Sequence, residues 1–282
     1  MVKKKMFPGY YMTGIQVKLK EEVKMSKTRG YAKGVYLLVA LALVLSLGIG
    51  AGPMVGRVEA GFPSTSNLTF ATGEDSVLAL AVQGNYLYAG LLTNPGQVVK
   101  IDLATFTKVS TLTLGTGEVN VRALAVKGSY LYAGLQTGPG QVVKINLATF
   151  TPVSTLTFAT GEDSVRALAV QGNYLYAGLD TNPGKVVKIN LAKFTDVPQT
   201  LTLASGENAV MALAVQGNYL YAGLSTAPGK VVKIKLATFS PVSTLTLATD
   251  ESTVIALAVK GTYLYAGLWM SIGKVVKIGL VP

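Results

Sequence analysis

The sequence predicts an all-β chain folded as a five-bladed β-propeller behind an N-terminal hydrophobic helix. Three observations predict it: a motif recurring five times at near-constant spacing, four short strand-like runs in each unit, and one charge-free apolar run ahead of the units.

The string ALAVQGNYLYAGL begins at Ala79 and recurs with small changes at Ala123, Ala167, Ala212 and Ala256, at spacings of 44, 44, 45 and 44 residues. Self-similarity at this period is the mark of a repeat architecture. Within one unit the runs 121–126, 130–135, 142–147 and 153–158 are rich in β-branched and aromatic residues and are separated by turn residues. Four strands in a unit of this length make a propeller blade.

The first run, such as VRALAV, is apolar on both alternating faces, as expected of an inner strand buried between neighbouring sheets. The next turn is Gly84-Asn85 and its counterparts Gly128-Ser129, Gly172-Asn173, Gly217-Asn218 and Gly261-Thr262, which suit a two-residue hairpin requiring positive φ. Pro95-Gly96, Pro139-Gly140, Pro183-Gly184 and Pro228-Gly229 mark the turn between second and third strands.

Ring or open solenoid is decided by the chain ends. The fifth unit carries a third strand at Lys274-Val275-Val276-Lys277-Ile278, and a lone fourth-strand match, Asn67-Leu68-Thr69-Phe70, precedes the first unit. The expectation is that residues 67–70 complete the last blade, closing a monomeric ring and removing an exposed edge. Asn67-Leu68-Thr69 is also an N-glycosylation sequon overlapping that strand.

Residues 1–33 form a basic region, residues 34–60 a signal-peptide core or signal anchor, and residues 61–282 the propeller. The run from Gly34 to Gly56 is uncharged and follows Lys18, Lys20, Lys24, Lys27, Arg29 and Lys33. A basic flank before an apolar run directs export. Cleavage after Ala60 fits a signal peptide, whereas residues 34–56 left uncut are long enough to anchor the chain in a membrane. A start at Met25 would give a compact signal n-region, making residues 1–24 an upstream-start artefact. Both export readings place the repeats outside the cytoplasm.

Composition excludes several classes. The net charge of +11 is concentrated in residues 1–60, with ten Lys/Arg against three Glu; the remainder has fifteen against eleven acids, no nucleic-acid footprint. The chain has no Cys and no His, which removes thiol chemistry, the commonest transition-metal ligand and the commonest general base.

The unit ALAVQGNYLYAGLLTNPGQVVKIDLATFTKVSTLTLG resembles the YVTN-type (YncE-like, WD40-like) β-propeller repeat over residues 65–282. The matching features are Tyr86-Leu87-Tyr88 in the second strand, Val98-Val99-Lys100-Ile101-Asp102 in the third and Ser110-Thr111-Leu112-Thr113 in the fourth. The proline-aspartate-glycine turn usual in that family is replaced by Gln83-Gly84-Asn85. The resemblance implies an exported or cell-surface protein and transfers no catalytic residues.

Alternating strand direction puts the loops from fourth to first strands on one face with the loops from second to third. There each unit places an acid, Glu74, Glu118, Glu162, Glu207 or Glu251. A ring of five carboxylates could hold Ca²⁺ or meet a basic partner; the plainer reading is loop acids paired with nearby cations such as Arg122 and Arg166, and no loop has the ligand density of a calcium site. The repeated Lys100, Lys144, Lys188, Lys233 and Lys277 read either as a cationic stripe or as snorkelling side chains, and the paired tyrosines either as sugar platforms or as interblade packing. The fifth unit replaces the Thr-x-Pro-Gly loop with Trp269-Met270-Ser271-Ile272-Gly273, which contains the only Trp. Trp269, Met270 and Ile272 mark a partner contact or a cover over the closure seam.

The expected function is therefore a non-catalytic, exported interaction or structural module, without cofactor or metal, presenting this loop face to an unknown protein or glycan. The alternatives are a multivalent carbohydrate-binding propeller, in which weak sites add by avidity, and a glycosidase-like enzyme using different carboxylates around one substrate.

Overall fold

A computed structural model describes residues 66–280. The predicted hydrophobic helix and export signal lie outside the described residues, among which no helix is long and apolar enough to cross a membrane.

The described residues are all-β and form five antiparallel sheets, one per repeat. Blade 1 comprises β1 (Val77–Gln83), β2 (Tyr86–Leu91), β3 (Gln97–Asp102) and β4 (Thr107–Thr113). Blade 2 comprises β5 (Val121–Lys127), β6 (Tyr130–Leu135), β7 (Gln141–Asn146) and β8 (Thr151–Thr157). Blade 3 comprises β9 (Val165–Gln171), β10 (Tyr174–Leu179), β11 (Lys185–Asn190) and the short β12 (Gln199–Thr202), the last two joined through a 3-10 turn at Leu191–Lys193. Blade 4 comprises β13 (Val210–Gln216), β14 (Tyr219–Leu224), β15 (Lys230–Lys235) and β16 (Ser240–Thr246). Blade 5 has β17 (Val254–Lys260), β18 (Tyr263–Leu268) and β19 (Lys274–Gly279).

The local geometry follows from the turn chemistry. Gly84 opens the first hairpin at φ +56°, and Gln83 pairs directly with Tyr86, so the loop is two residues long as predicted. Each inner strand carries a bulge near its start, shifting the register between Val77 and Ala79 in blade 1 and at the matching place in the other four. The bulge falls at Leu78, Arg122, Arg166, Met211 and Ile255. A bulge bends the strand and re-aims its side chain.

The core lies between blades rather than within one. Tyr88, Val98 and Leu114 of blade 1 pack with Val121, Leu131, Leu135, Val143 and Ile145 of blade 2, and equivalent clusters join blades 2 to 3, 3 to 4 and 4 to 5. At each of these four seams the second strand offers a glycine to a valine that begins the next inner strand. A Cβ on Gly90, Gly134, Gly178 or Gly223 would stand 2.5–2.6 Å from the Cγ1 of Val121, Val165, Val210 or Val254. Only a glycine permits that approach.

Closure departs from the sequence expectation. Blade 5 is three-stranded, and residues 67–70 do not pair with β19. The inner strands pack β1 on β5, β5 on β9, β9 on β13 and β13 on β17, but β17 does not pack on β1 in this way. Val77 is accordingly 47% exposed, whereas its four counterparts are fully buried. Leu68 and Phe70 nevertheless cover Ala89, Leu91, Val99 and Ile101, the face of blade 1 that a preceding blade would cover. The fourth-strand resemblance of residues 67–70 thus describes how they pack on blade 1, and among the described residues the sheet pairing that would close the ring is absent. The uncovered seam shows on both sides, with Val77 of blade 1 and Val275 of blade 5 exposed while the matching valines at the other four seams are buried.

Candidate interaction face

The two sets of loops share one face, as strand alternation requires. Gly96 N donates to Glu118 O at 2.6 Å and Asn120 N to Thr93 O at 2.9 Å, tying the β2–β3 loop of blade 1 to the loop entering blade 2. The same pairs recur as Gly140 to Glu162, Gly184 to Glu207 and Gly229 to Glu251.

All five loop glutamates are engaged in building these loops. One carboxylate oxygen accepts a backbone N–H three residues earlier: Ala71 for Glu74, Gly115 for Glu118, Ala159 for Glu162, Ala204 for Glu207 and Ala248 for Glu251. The other reaches the fourth strand of the blade that follows, accepting from Thr111 at Glu74, Thr155 at Glu118 and Thr244 at Glu207. Glu162 and Glu207 are buried. Lys108 pairs with Glu74 at 2.9 Å, and Lys274 bridges Asp250 and Glu251 at 3.0 and 3.2 Å. Burial pushes the Glu74 carboxyl up, but the hydrogen bonds from Thr111, Lys108 and the Ala71 amide together hold it below its ordinary value. The acids therefore brace their own loops, and Glu74, Glu118, Glu207 and Glu251 also tie the loop to the blade that follows. Among the described residues no group of three or more carboxylates is placed to hold a metal ion.

Arg122 and Arg166, expected beside these glutamates, instead turn from their bulges toward the residue that follows the second strand. Arg122 Nε donates to Gln136 Oε1 at 2.7 Å, and Arg166 forms an ion pair with Asp180, its Nε donating at 2.9 Å. Burial lowers the Arg122 guanidinium, and the charge of Arg166 lowers it further against the opposing pull of Asp180. The inner-strand end of the loop face is thus charged on blades 2 and 3 and carries Leu78, Met211 and Ile255 on the others. The signal was present in the sequence as a break in the repeat, but the bulge that turns these side chains depends on sheet register.

The lysine stripe is an aromatic ladder. Lys100, Lys144, Lys188, Lys233 and Lys277 place Nζ 3.8–4.4 Å from the ring centroids of Tyr86, Tyr130, Tyr174, Tyr219 and Tyr263. This is cation–π geometry. In blades 1 to 4 the second tyrosine of the pair is interblade core, and Tyr88, Tyr132 and Tyr176 meet Phe150, Phe194 and Phe239 of the next blade at 5.6–6.0 Å. Burial, reinforced by the neighbouring Tyr130 and Tyr174, pushes the Tyr132 and Tyr176 hydroxyls up to about 12.

The fifth-blade loop differs. Met270 packs into the seam between blades 4 and 5, while Trp269 and Ile272 are 68% and 81% exposed. The backbone at Trp269 is nonetheless held, with Trp269 N donating to Thr253 O at 2.9 Å and Ser252 Oγ to Trp269 O at 3.2 Å.

Neither a protein-family model nor a curated protein matches the chain. Among solved structures it is similar to the RRP9 WD40 repeats, with TM-score 0.57 and 18% identity over 69% of this chain and 58% of that one. It is similar to a chain of the mitotic checkpoint complex, with TM-score 0.54 and 21% identity over 72% and 64%. It is also similar to Kuenenia stuttgartiensis hydrazine synthase, with TM-score 0.61 and 14% identity over 78% and 70%. The chain thus spans less than two thirds of the length of the first two. These likenesses define the fold as a WD40-like β-propeller arrangement.

Proposed function

We propose that this chain is an exported, non-catalytic propeller, of the cell-surface kind that the YVTN-type resemblance implies, and that it binds a protein partner through the loop face around Trp269 and Ile272. The observation that carries the reading is the contrast on that face. Every repeated carboxylate is tied into its own loop, while one loop, its backbone held at Trp269, keeps two large apolar side chains in water. Rigid exposed aromatic and aliphatic anchors are what protein interfaces use as energetic centres. The similarity to a chain of the mitotic checkpoint complex supports a protein partner in general terms. A carbohydrate platform needs free tyrosine faces, and each first tyrosine already carries a lysine. A glycosidase needs two carboxylates converging on one substrate, and the five glutamates each serve a separate loop. The apolar run at residues 34–56 behind its basic flank supports the extracytoplasmic placement.

The test is affinity capture from envelope extracts of the native cell with the parent chain, Trp269→Ala and Ile272→Ala. A protein retained by the parent and lost from both variants is the expected result. An identical set of proteins retained by all three would overturn the reading.

A further inference from the structure

The four seams within the chain define what a blade of this protein requires of its neighbour, and among the described residues the fifth seam leaves both halves of that interface without a partner blade. On the forward side, Val98, Val142, Val186 and Val231 are at most 3% exposed because the next blade covers them; Val275, the same position in blade 5, is 67% exposed. Gly267 has no valine against it: a Cβ there would meet only Ala256 of its own blade, at 3.4 Å. Tyr265 meets Tyr263 of its own hairpin, whereas Tyr88, Tyr132 and Tyr176 each meet the phenylalanine of the following blade. On the backward side, Val77 is exposed, and Leu68 and Phe70 lie on blade 1 as Leu156 and Phe158 of blade 2 lie on blade 3. Residues 66–69 are therefore positioned as the fourth strand of a preceding blade that has no third strand beside it. Among the described residues blade 5 has the third strand, β19, and no fourth beside it.

We propose that this seam takes a second copy of this chain, docked head to tail, with residues 66–69 of one copy completing the sheet of blade 5 in the next. The register follows from blade 1, where Gln97 to Lys100 pair with Thr113 to Ser110. By repeat equivalence Lys274 pairs with Thr69, Val275 with Leu68, Val276 with Asn67 and Lys277 with Ser66. The occupant is a second copy because, among the described residues, the backward face of blade 1 is the surface that fits blade 5, a fit repeated at four internal seams. Blade 1 of the same chain does not fill this seam: Val77 and Val275 both stay exposed while the other four seams are packed. At each of those four seams valine already stands against glycine at closest approach. Pairing at a free sheet edge supplies backbone hydrogen bonds, and the apolar seam supplies burial. The contact is heterologous, so it propagates until the rotation closes a ring or gives an open chain.

This proposal goes beyond the partner-binding reading and does not use Trp269. The full chain contains no cysteine, so engineered thiols report the seam alone. Thr69→Cys and Lys274→Cys are made in separate chains, mixed and oxidised. A disulfide-linked dimer from the mixture, but from neither variant alone, is the expected result. The double variant Thr69→Cys/Lys274→Cys should give a head-to-tail ladder. No cross-linking in the mixture, or a double variant that oxidises only within one chain, would overturn the proposal, the second outcome by showing an intramolecular ring. In a second measurement, sedimentation should show concentration-dependent association of the parent, weakened about tenfold or more by Gly267→Val, the cost of overpacking one tight contact. Parent chain that stays monomeric, or association unchanged by Gly267→Val, would also overturn it. Failure of these tests leaves the capture experiment at Trp269 unaffected.

Discussion

Val121 lies directly against Gly90, with its Cγ1 2.6 Å from where a Cβ on that glycine would stand and its carbonyl oxygen 3.0 Å away. The backbone oxygen cannot swing aside as a side chain could. The pair repeats at three further seams and sets how closely one blade approaches the next.

Gly90→Ala is therefore expected to destabilise the fold by about 1–3 kcal/mol, the range for overpacking a filled core. Gly267→Ala, which meets only an ordinary contact, is expected to leave the unfolding free energy of the isolated chain nearly unchanged. Denaturant unfolding of the two variants beside the parent measures the difference. Equal effects at the two positions would refute the assignment of Gly267 to an unfilled seam.

Glu207 accepts from Ala204 N at 3.0 Å and from Thr244 Oγ1 at 2.6 Å while buried. Glu207→Ala removes two hydrogen bonds to a charged acceptor and should cost about 1.5–3 kcal/mol in a chemical melt. An exposed acid presented for a ligand would show almost no loss.

Arg166 and Asp180 are expected to be coupled. A double-mutant cycle with Arg166→Met and Asp180→Asn should return a pair energy of about 0.5–1 kcal/mol, as for a partly shielded ion pair. The corresponding cycle between Arg166 and Glu162 should return nothing, because the arginine does not reach that carboxylate.

Stability should depend on pH at both ends. Because folding lowers the Glu74 pKa, its contribution is complete above the ordinary value of 4.5 and is lost as pH falls toward the folded value. The stability difference between the parent and Glu74→Gln should shrink over that interval. Tyr132 and Tyr176 act oppositely: raised from 10.0 to about 12, they favour the folded state fully below pH 10 and lose that contribution as pH rises toward 12. Ultraviolet titration of tyrosinate should lose its highest-pH component in the Tyr132→Phe/Tyr176→Phe double variant.

Trp269 is the only tryptophan in the chain and is largely in water. Its emission should be red-shifted and open to acrylamide quenching, and bound partner should shift it to the blue and protect it. An emission already blue and shielded in the isolated chain would mean that the loop is covered.

Much of this was legible in the sequence because it is local. Five copies of one motif determine five blades, Gly84 and its counterparts determine two-residue hairpins, and the period-2 placement of Tyr86 and Tyr88 puts both rings on one face of their strand. The candidate face was legible as well, since strand alternation puts Glu118 and Gly96 on the same side. Only the tertiary structure decided what those residues do. Whether Glu207 meets solvent or Thr244 depends on how one loop lies against a strand 37 residues on, and whether Arg166 meets a glutamate or Asp180 depends on a bulge. The seam between Val275 and Val77 is the clearest case. The repeat encodes each interblade contact separately, but closure is the sum of four interblade angles, and no single unit carries that sum.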